Sequence, residues 1–457
     1  MYENNIKDLK KSLSMSEKGI KHKIGVRSKF FPFTTNERYT ISQKETSGTV
    51  GELVRLINNK KLGNEDLEID KIIKQIMKLV QLDDDNDRSY LYEVIKEHII
   101  NEDGNRNIFH YDLYNYINSN KKEEKIAKFL YDVFFKEMRC FENIYSEIEN
   151  EDVITRLILE GLKESDYLVD KQSDDSEECY ENKLEFITKL AYEDFRFLLK
   201  NKDFFLEYFE RLVYFYYFYY LIQLCIKINK RFNSDYNKVE ETYYLLDWEK
   251  AGKNRKSAIK GYKDIKDRGE ELWVNLNVIE HSNFLMGTEN YNLVEIKEYF
   301  LSLYEKEKLE YLETLKEWIK EYKICTHQEY QDNDIELDFD KLMNEIIQSV
   351  SIKLSDPGRG RRLFNNVEEI GKLYFLKSRG GAYGYMFNLT QETILMLTAI
   401  CVKKEKITLK ALFEEYNKRG VFLDKESKEL VVTFLEKLNL IDKKSDSGDA
   451  QYVKSIL

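Results

Sequence analysis

Helix-breaking residues are scarce along this 457-residue chain, and that scarcity limits the folds it can adopt. The chain contains only two prolines, Pro32 and Pro357, together with 19 glycines. Proline interrupts a helix because it lacks a backbone N–H and its ring clashes with the preceding turn. Hydrophobic residues make up 42% of the sequence, which is enough to build a large core. The sequence therefore predicts a mainly α, multi-helical protein.

The longest apolar run extends from Leu212 to Ile222 and is dominated by tyrosine and phenylalanine. It is shorter than the roughly 20 residues that a membrane-spanning helix needs. A helix that is apolar on every side is more simply buried at the centre of a helical domain or beneath a partner subunit. We therefore predict a buried helix here and no association with a membrane.

Hydrophobic spacing and polar interruptions divide the chain into five predicted segments. Alternating and aromatic residues around Pro32 indicate an extended segment, apolar residues at helical spacing follow, and acidic stretches mark exposed loops. The predicted segments are an N-terminal extended or β segment (1–50), a helical domain (51–172), a second helical domain with the aromatic-rich buried helix (179–350), a basic glycine-containing connector (351–387) and a winged-helix domain (388–457).

The winged-helix prediction depends on capping residues and on element order. Asn388 or Thr390 can cap a first helix, Thr408 a second and Asp424 a third, because their side-chain oxygens can accept hydrogen bonds from N–H groups in the first turn. A short strand precedes the second helix, and a turn-rich tip followed by a final strand closes the chain. Helix, strand, helix, helix and hairpin is the order of a winged helix, which is a variant of the helix-turn-helix.

The net charge of −11 argues against a protein that coats nucleic acid without specificity. The charge is unevenly distributed, however. Residues 351–457 hold 19 Lys and Arg against 14 Asp and Glu, whereas the remaining 350 residues hold 53 basic and 69 acidic groups. An acidic body with a basic C-terminal part is the pattern that a function has to explain.

Sequence patterns for catalysis, cofactors and metals are not found. The glycine-rich stretches at Gly358 and Gly380 lack the Gly-Lys-Ser/Thr ending of a phosphate-binding loop. The five histidines are isolated, and the five cysteines are scattered without a CxxC pair. We therefore predict no catalytic residues, no metal and no cofactor, and expect an accessory protein rather than an enzyme. The polar N-terminus has no signal-peptide pattern, so we expect a cytoplasmic protein.

The basic connector is the first candidate binding segment. Its glycines allow close approach of the backbone to a phosphate, and its two tyrosines could stack on a base or a sugar. A surface for a partner protein and a plain solvated linker are the alternatives. The candidate nucleic-acid or partner-binding residues in this segment are Lys353, Arg359, Arg361, Arg362, Lys372, Lys377, Arg379, Tyr383 and Tyr385.

Two further basic groups extend this prediction. Lys443 and Lys444 begin the predicted wing, whereas the third helix carries an even mixture of lysine and glutamate, which suits phosphates poorly. In a second basic segment, nearer the N-terminus, lysines at helical spacing could align along one helix face. Their mutual repulsion would be offset by DNA, by an acidic part of this chain or by a subunit. The candidates in this secondary basic patch are Lys253, Arg255, Lys256, Lys260 and Lys263.

Three stretches resemble one known family. They are Tyr383–Glu392 (YGYMFNLTQE), Lys443–Lys454 (KKSDSGDAQYVK) and, more weakly, Phe30–Phe33 (FFPF). In these stretches the chain is similar to the DptG (DndG) family of DNA phosphorothioation-dependent restriction proteins. The resemblance implies a bacterial defence assembly in which one arm replaces a phosphate oxygen of DNA by sulfur and the other restricts unmodified DNA. It also implies two larger ATPase-type partners and no established catalytic residues in this subunit.

Two functions are therefore expected from the sequence. The first is a non-catalytic restriction subunit whose helical body docks ATPase- or helicase-like partners and whose basic C-terminal region contacts DNA, directly or through those partners. The alternative is a stand-alone transcriptional regulator that uses its winged helix to read DNA as a dimer on a palindromic site.

Overall fold

A computed structural model of the chain shows a mainly helical protein. The structure describes residues 2–16, 19–33, 46–63, 69–81, 84–100, 107–141, 144, 151–164, 167–171, 179–330, 336–355, 357–403, 406–443 and 451–457. The chain divides into two compact units. The first unit comprises residues 1–40, 183–187 and 218–456, and the second comprises residues 41–182, 188–217 and 457.

Eighteen α-helices account for most of the described residues. The first nine are α1 (Tyr2–Ser12), α2 (Thr46–Ile57), α3 (Ile69–Ile76), α4 (Asp85–Ile99), α5 (Lys121–Leu130), α6 (Val153–Lys163), α7 (Glu185–Leu198), α8 (Lys202–Asn229) and α9 (Lys256–Ile259). The others are α10 (Tyr262–Asp267), α11 (Gly269–Met286), α12 (Leu293–Ser302), α13 (Glu305–Cys325), α14 (Phe339–Lys353), α15 (Pro357–Tyr374), α16 (Gln391–Val402), α17 (Leu409–Lys418) and α18 (Lys425–Lys437).

The strands are short and form three small sheets. They are β1 (Lys60–Leu62), β2 (Leu168–Asp170), β3 (Leu245–Leu246), β4 (Leu376–Ser378), β5 (Tyr385–Leu389), β6 (Lys406–Thr408), β7 (Ile441–Lys443) and β8 (Gln451–Lys454). β1 pairs with β2; β5 lies between β3 and β4; and β8 lies between β6 and β7. All pairs are antiparallel except β3 with β5, which is parallel.

The aromatic-rich helix is buried, as the sequence predicted. Every residue from Leu212 to Ile222, on α8, is at most 2% exposed. Close packing of these rings removes a large apolar area from water, which is the main favourable contribution to folding. Over the described part of the chain, the helices are either too short or too polar to cross a bilayer.

The second unit contains the contacts of α2 with α5 and of α3 with α6. Arg55 of α2 is only 1% exposed, and its guanidinium donates to the carbonyl oxygen of Asn115 at 3.0 Å. Leu62 of β1 and Leu168 of β2 pack against an apolar cluster that includes Ile73, Ile76 and Ile158. The buried guanidinium is compatible with this core because its N–H groups find carbonyl acceptors.

The first unit is organised around α11, which is buried at every position from Leu272 to Met286. α1, α14 and α15 pack against it. Gly360 of α15 comes so close that an added Cβ would lie 2.5 Å from the carbonyl oxygen of Gly269. This approach brings α15 and α11 together nearly backbone to backbone, which only glycine allows.

The structure corrects the sequence prediction in three segments. The segment predicted as extended or β contains α1 and the start of α2; residues 19–33 have neither a helix nor a strand, and residues 34–45 lie outside the described residues. The connector is irregular only in part, because α15 begins at Pro357 and continues through the glycines as its apolar residues pack inward. The lysines from Lys256 to Lys266 do not share one helix face, since α9 ends at Ile259 and Gly261 separates it from α10.

The C-terminal elements have the order predicted from the sequence. Thr390, Thr408 and Asp424 cap α16, α17 and α18 by accepting hydrogen bonds from Thr393, Ala411 and Ser427, respectively. β6 precedes α17, and β7 and β8 follow α18 in a three-stranded sheet. The tip between β7 and β8, residues 444–450, lies outside the described residues.

A buried histidine in the first unit should make stability depend on pH. The His281 ring is fully buried, and within the described structure neither ring nitrogen has a hydrogen-bond partner. It stacks on His22 with ring centroids 5.8 Å apart and meets the edge of Trp318. Burial, reinforced by His22, lowers the pKa of His281 well below its usual value. The folded protein therefore holds this imidazole neutral.

We expect His281 to destabilise the fold on acidification. Below about pH 6.5 the unfolded chain binds a proton that the folded chain does not, so stability falls as the pH falls. Between pH 7.5 and 5.5 the loss should be about 1.4 kcal/mol. Urea unfolding at both pH values should show that His281→Phe removes this part of the pH dependence, whereas His327→Gln, at an exposed position, keeps it. Equal pH dependence in His281→Phe and the parent protein would contradict the assignment.

Candidate nucleic-acid or partner interface

Two basic segments that are distant in sequence meet in the first unit. The Lys263 ammonium of α10 donates to the carbonyl oxygen of Ala382 at 3.0 Å. Lys266 forms an ion pair with Glu368 of α15, and the Tyr262 hydroxyl donates to the same carboxylate at 3.1 Å. The secondary basic patch and the connector, treated separately in the sequence, thus form one surface.

A pocket of about 220 Å³ opens where these segments meet, and we call it the Gly-turn pocket. It is lined by Lys253, Ser257, Ala258, Lys263, Ala382, Tyr383 and Met386. Among the described residues, Lys253 has no ion-pair partner, and the buried hydroxyl of Ser257 has no hydrogen-bond partner. Two ammonium groups are suitable donors for a phosphate oxygen, and the buried Ser257 hydroxyl lies in the wall beside them.

The backbone beside this pocket is open to an approaching ligand. Gly380, Gly381 and Gly384 have φ values of +73°, +48° and +61°, and an added Cβ at any of them would meet no atom within 4 Å. These left-handed conformations favour glycine and turn the chain sharply without side chains over it. The turn therefore presents bare backbone next to Lys263 and Tyr383.

Several predicted binding residues already have partners within the protein. Lys372 pairs with Glu369 at 2.7 Å and lies over the Tyr385 ring, 4.8 Å from its centroid. Burial alone would raise the pKa of Glu368, but the ammonium groups of Lys266 and Lys372 lower it. A paired cation attracts a phosphate less strongly than a free one, because its field is already compensated.

Arg379 and Lys377 hold the β3–β5 edge together. The Arg379 guanidinium donates to the carbonyl oxygens of Leu246 and Glu249, at 2.7 and 2.8 Å, and to the side chain of Asn388 at 2.7 Å. Lys377 donates to Asp247 at 2.8 Å, and this bond lowers the pKa of the Asp247 carboxyl. Burial lowers the pKa of Arg379. Both cations therefore support the local structure.

Arg255 joins the secondary patch to the start of α18. Its guanidinium contacts Glu249 and Asp424, with Nε 2.9 Å from one Asp424 oxygen, and reaches the Ser427 hydroxyl at 2.9 Å. Burial would raise the pKa of Asp424, but the hydrogen bonds from Arg255 and the α18 backbone lower it. Nearby, the Trp248 ring packs on Phe434 with centroids 5.5 Å apart. Part of α18 is thus held against the rest of the first unit.

The remaining face of α18 borders a second and larger depression of about 770 Å³, the α18 groove. Its lining residues are Lys256, Leu423, Asp424, Lys425, Lys428, Glu429, Val432, Thr433 and Gln451. Lys256 donates to the Tyr243 hydroxyl at 3.1 Å and forms no ion pair within 4.0 Å among the described residues. α9 therefore supplies side chains to both depressions, with Lys256 on the α18 groove and Ser257 on the Gly-turn pocket.

None of the other predicted binding residues is among the described residues that line the two depressions. Lys353 and Arg362 are exposed, on α14 and α15, and Lys260 pairs with Glu241 at 3.1 Å. Arg359, Arg361 and Lys443 lie in described elements, but their side chains are outside the described residues, as is Lys444 entirely. Over the described residues, His, Cys, Asp and Glu side chains form no group of three or more that could hold a metal.

Sequence reasoning did not identify Ser257, Met386 or Glu249 as parts of this surface. A serine within a lysine-rich stretch and a glutamate after tryptophan carry no local signal, since their roles depend on partners far along the chain. Compared with known protein families, the chain matches none. No curated protein matches it either.

Proposed function

We propose that the protein is a non-catalytic subunit of a DNA phosphorothioation-dependent restriction complex, and that it contacts the DNA backbone at the Gly-turn pocket and the adjoining α18 groove. The observation that carries the DNA contact is the Gly-turn pocket itself. Lys253 and Lys263, 10 positions apart in sequence, face the same turn of bare backbone beside a buried, unpartnered Ser257 hydroxyl. This is the chemistry of a phosphate site and carries no base specificity.

We propose further that residues 388–457 form a winged-helix module. The order from α16 to β8 and the pairing of β8 with both β6 and β7 support this proposal. In such modules the third helix and the wing approach nucleic acid, and here α18 borders the groove that contains Lys256, Lys425 and Lys428. Mixed charge along α18 fits contact with backbone or protein better than base reading.

The resemblance of residues 383–392 and 443–454 to the DptG family is the basis for three parts of the proposal. These are the restriction assembly, the ATPase-type partners and the phosphorothioate chemistry. The alternative, a stand-alone regulator, requires a third helix that is free to enter a major groove. Arg255 and Trp248 hold α18 against the rest of the first unit, which favours the subunit over the regulator.

Removing two pocket lysines should weaken DNA binding in a salt-dependent way. Lys253→Ala/Lys263→Ala deletes two cations that would each displace a counter-ion from the duplex. The slope of log K against log salt should therefore decrease in magnitude by about 2. Fluorescence anisotropy with a labelled duplex, measured over a range of salt concentrations, gives this slope directly.

The matched control is Lys238→Ala/Lys306→Ala, which removes the same charge from side chains that are 80% and 88% exposed and line neither depression. Its slope should equal that of the parent protein. No DNA binding by the parent, or equal slopes for both double variants, would reject the DNA contact. A strong preference for one palindromic sequence would instead favour the regulator. Point variants are preferable to deleting residues 351–457, because that deletion removes α15 from its packing against α11.

A further inference from the structure

The second unit contains a polar pocket that is independent of the surface described above. It has a volume of about 390 Å³ and lies among β1, α6 and the 3₁₀ helix Tyr111–Tyr116. This volume is within the range of small-molecule sites. Its lining combines apolar side chains, Leu159 and Leu168, with charged and amide groups.

Opposite charges face this pocket from different elements. Asp112 belongs to the 3₁₀ helix, and its carboxylate accepts no hydrogen bond from the described residues; the His110 Nδ1 atom lies 3.9 Å from it but accepts a hydrogen bond from the Asp112 backbone N–H. Lys163, at the end of α6, has no ion-pair partner in the described structure. Among the described residues, Lys60 of β1 pairs only with Asp170, which is 81% exposed, so water screens that pair.

Burial raises the pKa of Asp112, although His110 and Lys163 act to lower it. A ligand that donates hydrogen bonds to this half-buried carboxylate would stabilise its charged form. Among the described residues, Lys163 has no anion within ion-pair distance, and the partner of Lys60 is exposed. The pocket therefore has one acceptor side and one cationic side.

Amide and aromatic groups complete the lining and are fixed in place. Asn58 donates to the Asn115 side chain at 3.0 Å, and Asn115 donates to the Asp112 carbonyl oxygen at 3.1 Å. The Tyr116 hydroxyl donates to the Leu162 carbonyl oxygen at 3.2 Å, which orients its ring. Asn58 keeps its carbonyl oxygen and second N–H for a ligand. Tyr116 and Leu159 are 7% and 1% exposed, so they form a narrow apolar floor against which a flat ring can pack.

We propose that this pocket binds a nucleoside monophosphate, with the phosphate on Lys163 and Lys60, hydroxyl or amino donors on Asp112, and the base against Tyr116 and Leu159. An anionic group, hydrogen-bond donors and a flat ring are the features that the lining complements together. A free amino acid also carries both charges, but it would leave most of the volume empty and the aromatic wall uncovered.

The test is calorimetric titration of the full-length protein with the four nucleoside 5′-monophosphates, the unphosphorylated nucleosides, inorganic phosphate and free amino acids. At least one monophosphate should bind and raise Tm. Lys163→Ala and Asp112→Asn should each weaken it by about tenfold or more, the loss of one charge-assisted hydrogen bond. Lys61→Ala, on the same strand as Lys60 but outside the pocket, should leave the affinity unchanged.

The proposal is wrong if no monophosphate binds at millimolar concentration, or if inorganic phosphate or the nucleoside alone binds equally well. It is also wrong if an amino acid binds more tightly, or if neither pocket variant changes the affinity. Tm of the ligand-free variants separates lost binding from lost folding. If Lys163→Ala unfolds the protein, Lys163→Gln replaces it with the same expected loss.

Discussion

Arg255→Ala should lower the free energy of unfolding of the first unit by about 3 kcal/mol or more. The Arg255 side chain is 10% exposed and bridges Glu249, which is 3% exposed, to Asp424, which is 14% exposed. Removing the guanidinium leaves a buried carboxylate without its counter-charge, and that cost exceeds the attraction of an exposed pair. Urea unfolding followed by far-ultraviolet circular dichroism measures the difference.

A second substitution distinguishes lost charge from lost packing. Glu249→Gln in the Arg255→Ala background removes the unpaired charge while keeping the side-chain volume, so it should recover part of the stability. Lys260→Ala is the matched control because its pair with Glu241 is exposed on both sides, at 60% and 49%; its effect should be below about 1 kcal/mol. A loss of similar size for Arg255→Ala and Lys260→Ala would contradict the buried role.

This role changes the expectation for Arg255 in DNA binding. Because Arg255 lies in a basic stretch, the sequence made it a candidate for binding phosphate. In the structure its guanidinium forms an ion pair at the start of α18. Its replacement should therefore affect folding before it affects the salt dependence of DNA binding. Lys253, in the same stretch, has no described partner, so its replacement should affect the salt dependence of binding before it affects folding. Two cations only two residues apart are thus predicted to behave differently.

Features that depend on neighbouring residues were predictable from the sequence. The burial of α8 follows from an unbroken apolar run, and the starts of α16, α17 and α18 follow from capping side chains that act within three residues. The helix α1 also had a local signal that the prediction did not use, since Ile6, Leu9 and Leu13 recur at helical spacing and are buried.

Features that depend on distant residues were not predictable. α15 forms despite Gly358 and Gly360 because packing against α11 outweighs the low helix propensity of glycine. The ion pairs of Lys266 with Glu368 and of Lys377 with Asp247 join residues more than 100 positions apart. A count of basic residues in a segment cannot distinguish these paired cations from a cation such as Lys253, which has no ion-pair partner among the described residues.

Gly420 should be as sensitive to substitution as Arg255, for a steric reason. It lies between α17 and α18 with φ of +71°, and an added Cβ would lie 2.2 Å from the Tyr219 ring of α8. The Tyr219 hydroxyl also donates to the Lys418 carbonyl oxygen at 2.9 Å, so the ring cannot move aside without losing that bond. The turn of the proposed winged helix therefore rests directly on the aromatic-rich helix.

Gly420→Ala should lower the free energy of unfolding by about 3 kcal/mol, which combines the cost of a left-handed alanine with that of overpacking. Gly287→Ala isolates the first cost, because Gly287 ends α11 in a left-handed conformation (φ +76°) and the atom nearest to the new Cβ, the side-chain nitrogen of Asn5, is 3.3 Å away; it should lose only about 1 kcal/mol. Tyr219→Leu in the Gly420→Ala background should remove part of the clash, and a double-mutant cycle measures this coupling. Equal losses for Gly420→Ala and Gly287→Ala, with no coupling to Tyr219, would mean that the turn does not rest on α8. A large coupling would mean that the C-terminal module is anchored on the buried, aromatic-rich helix α8.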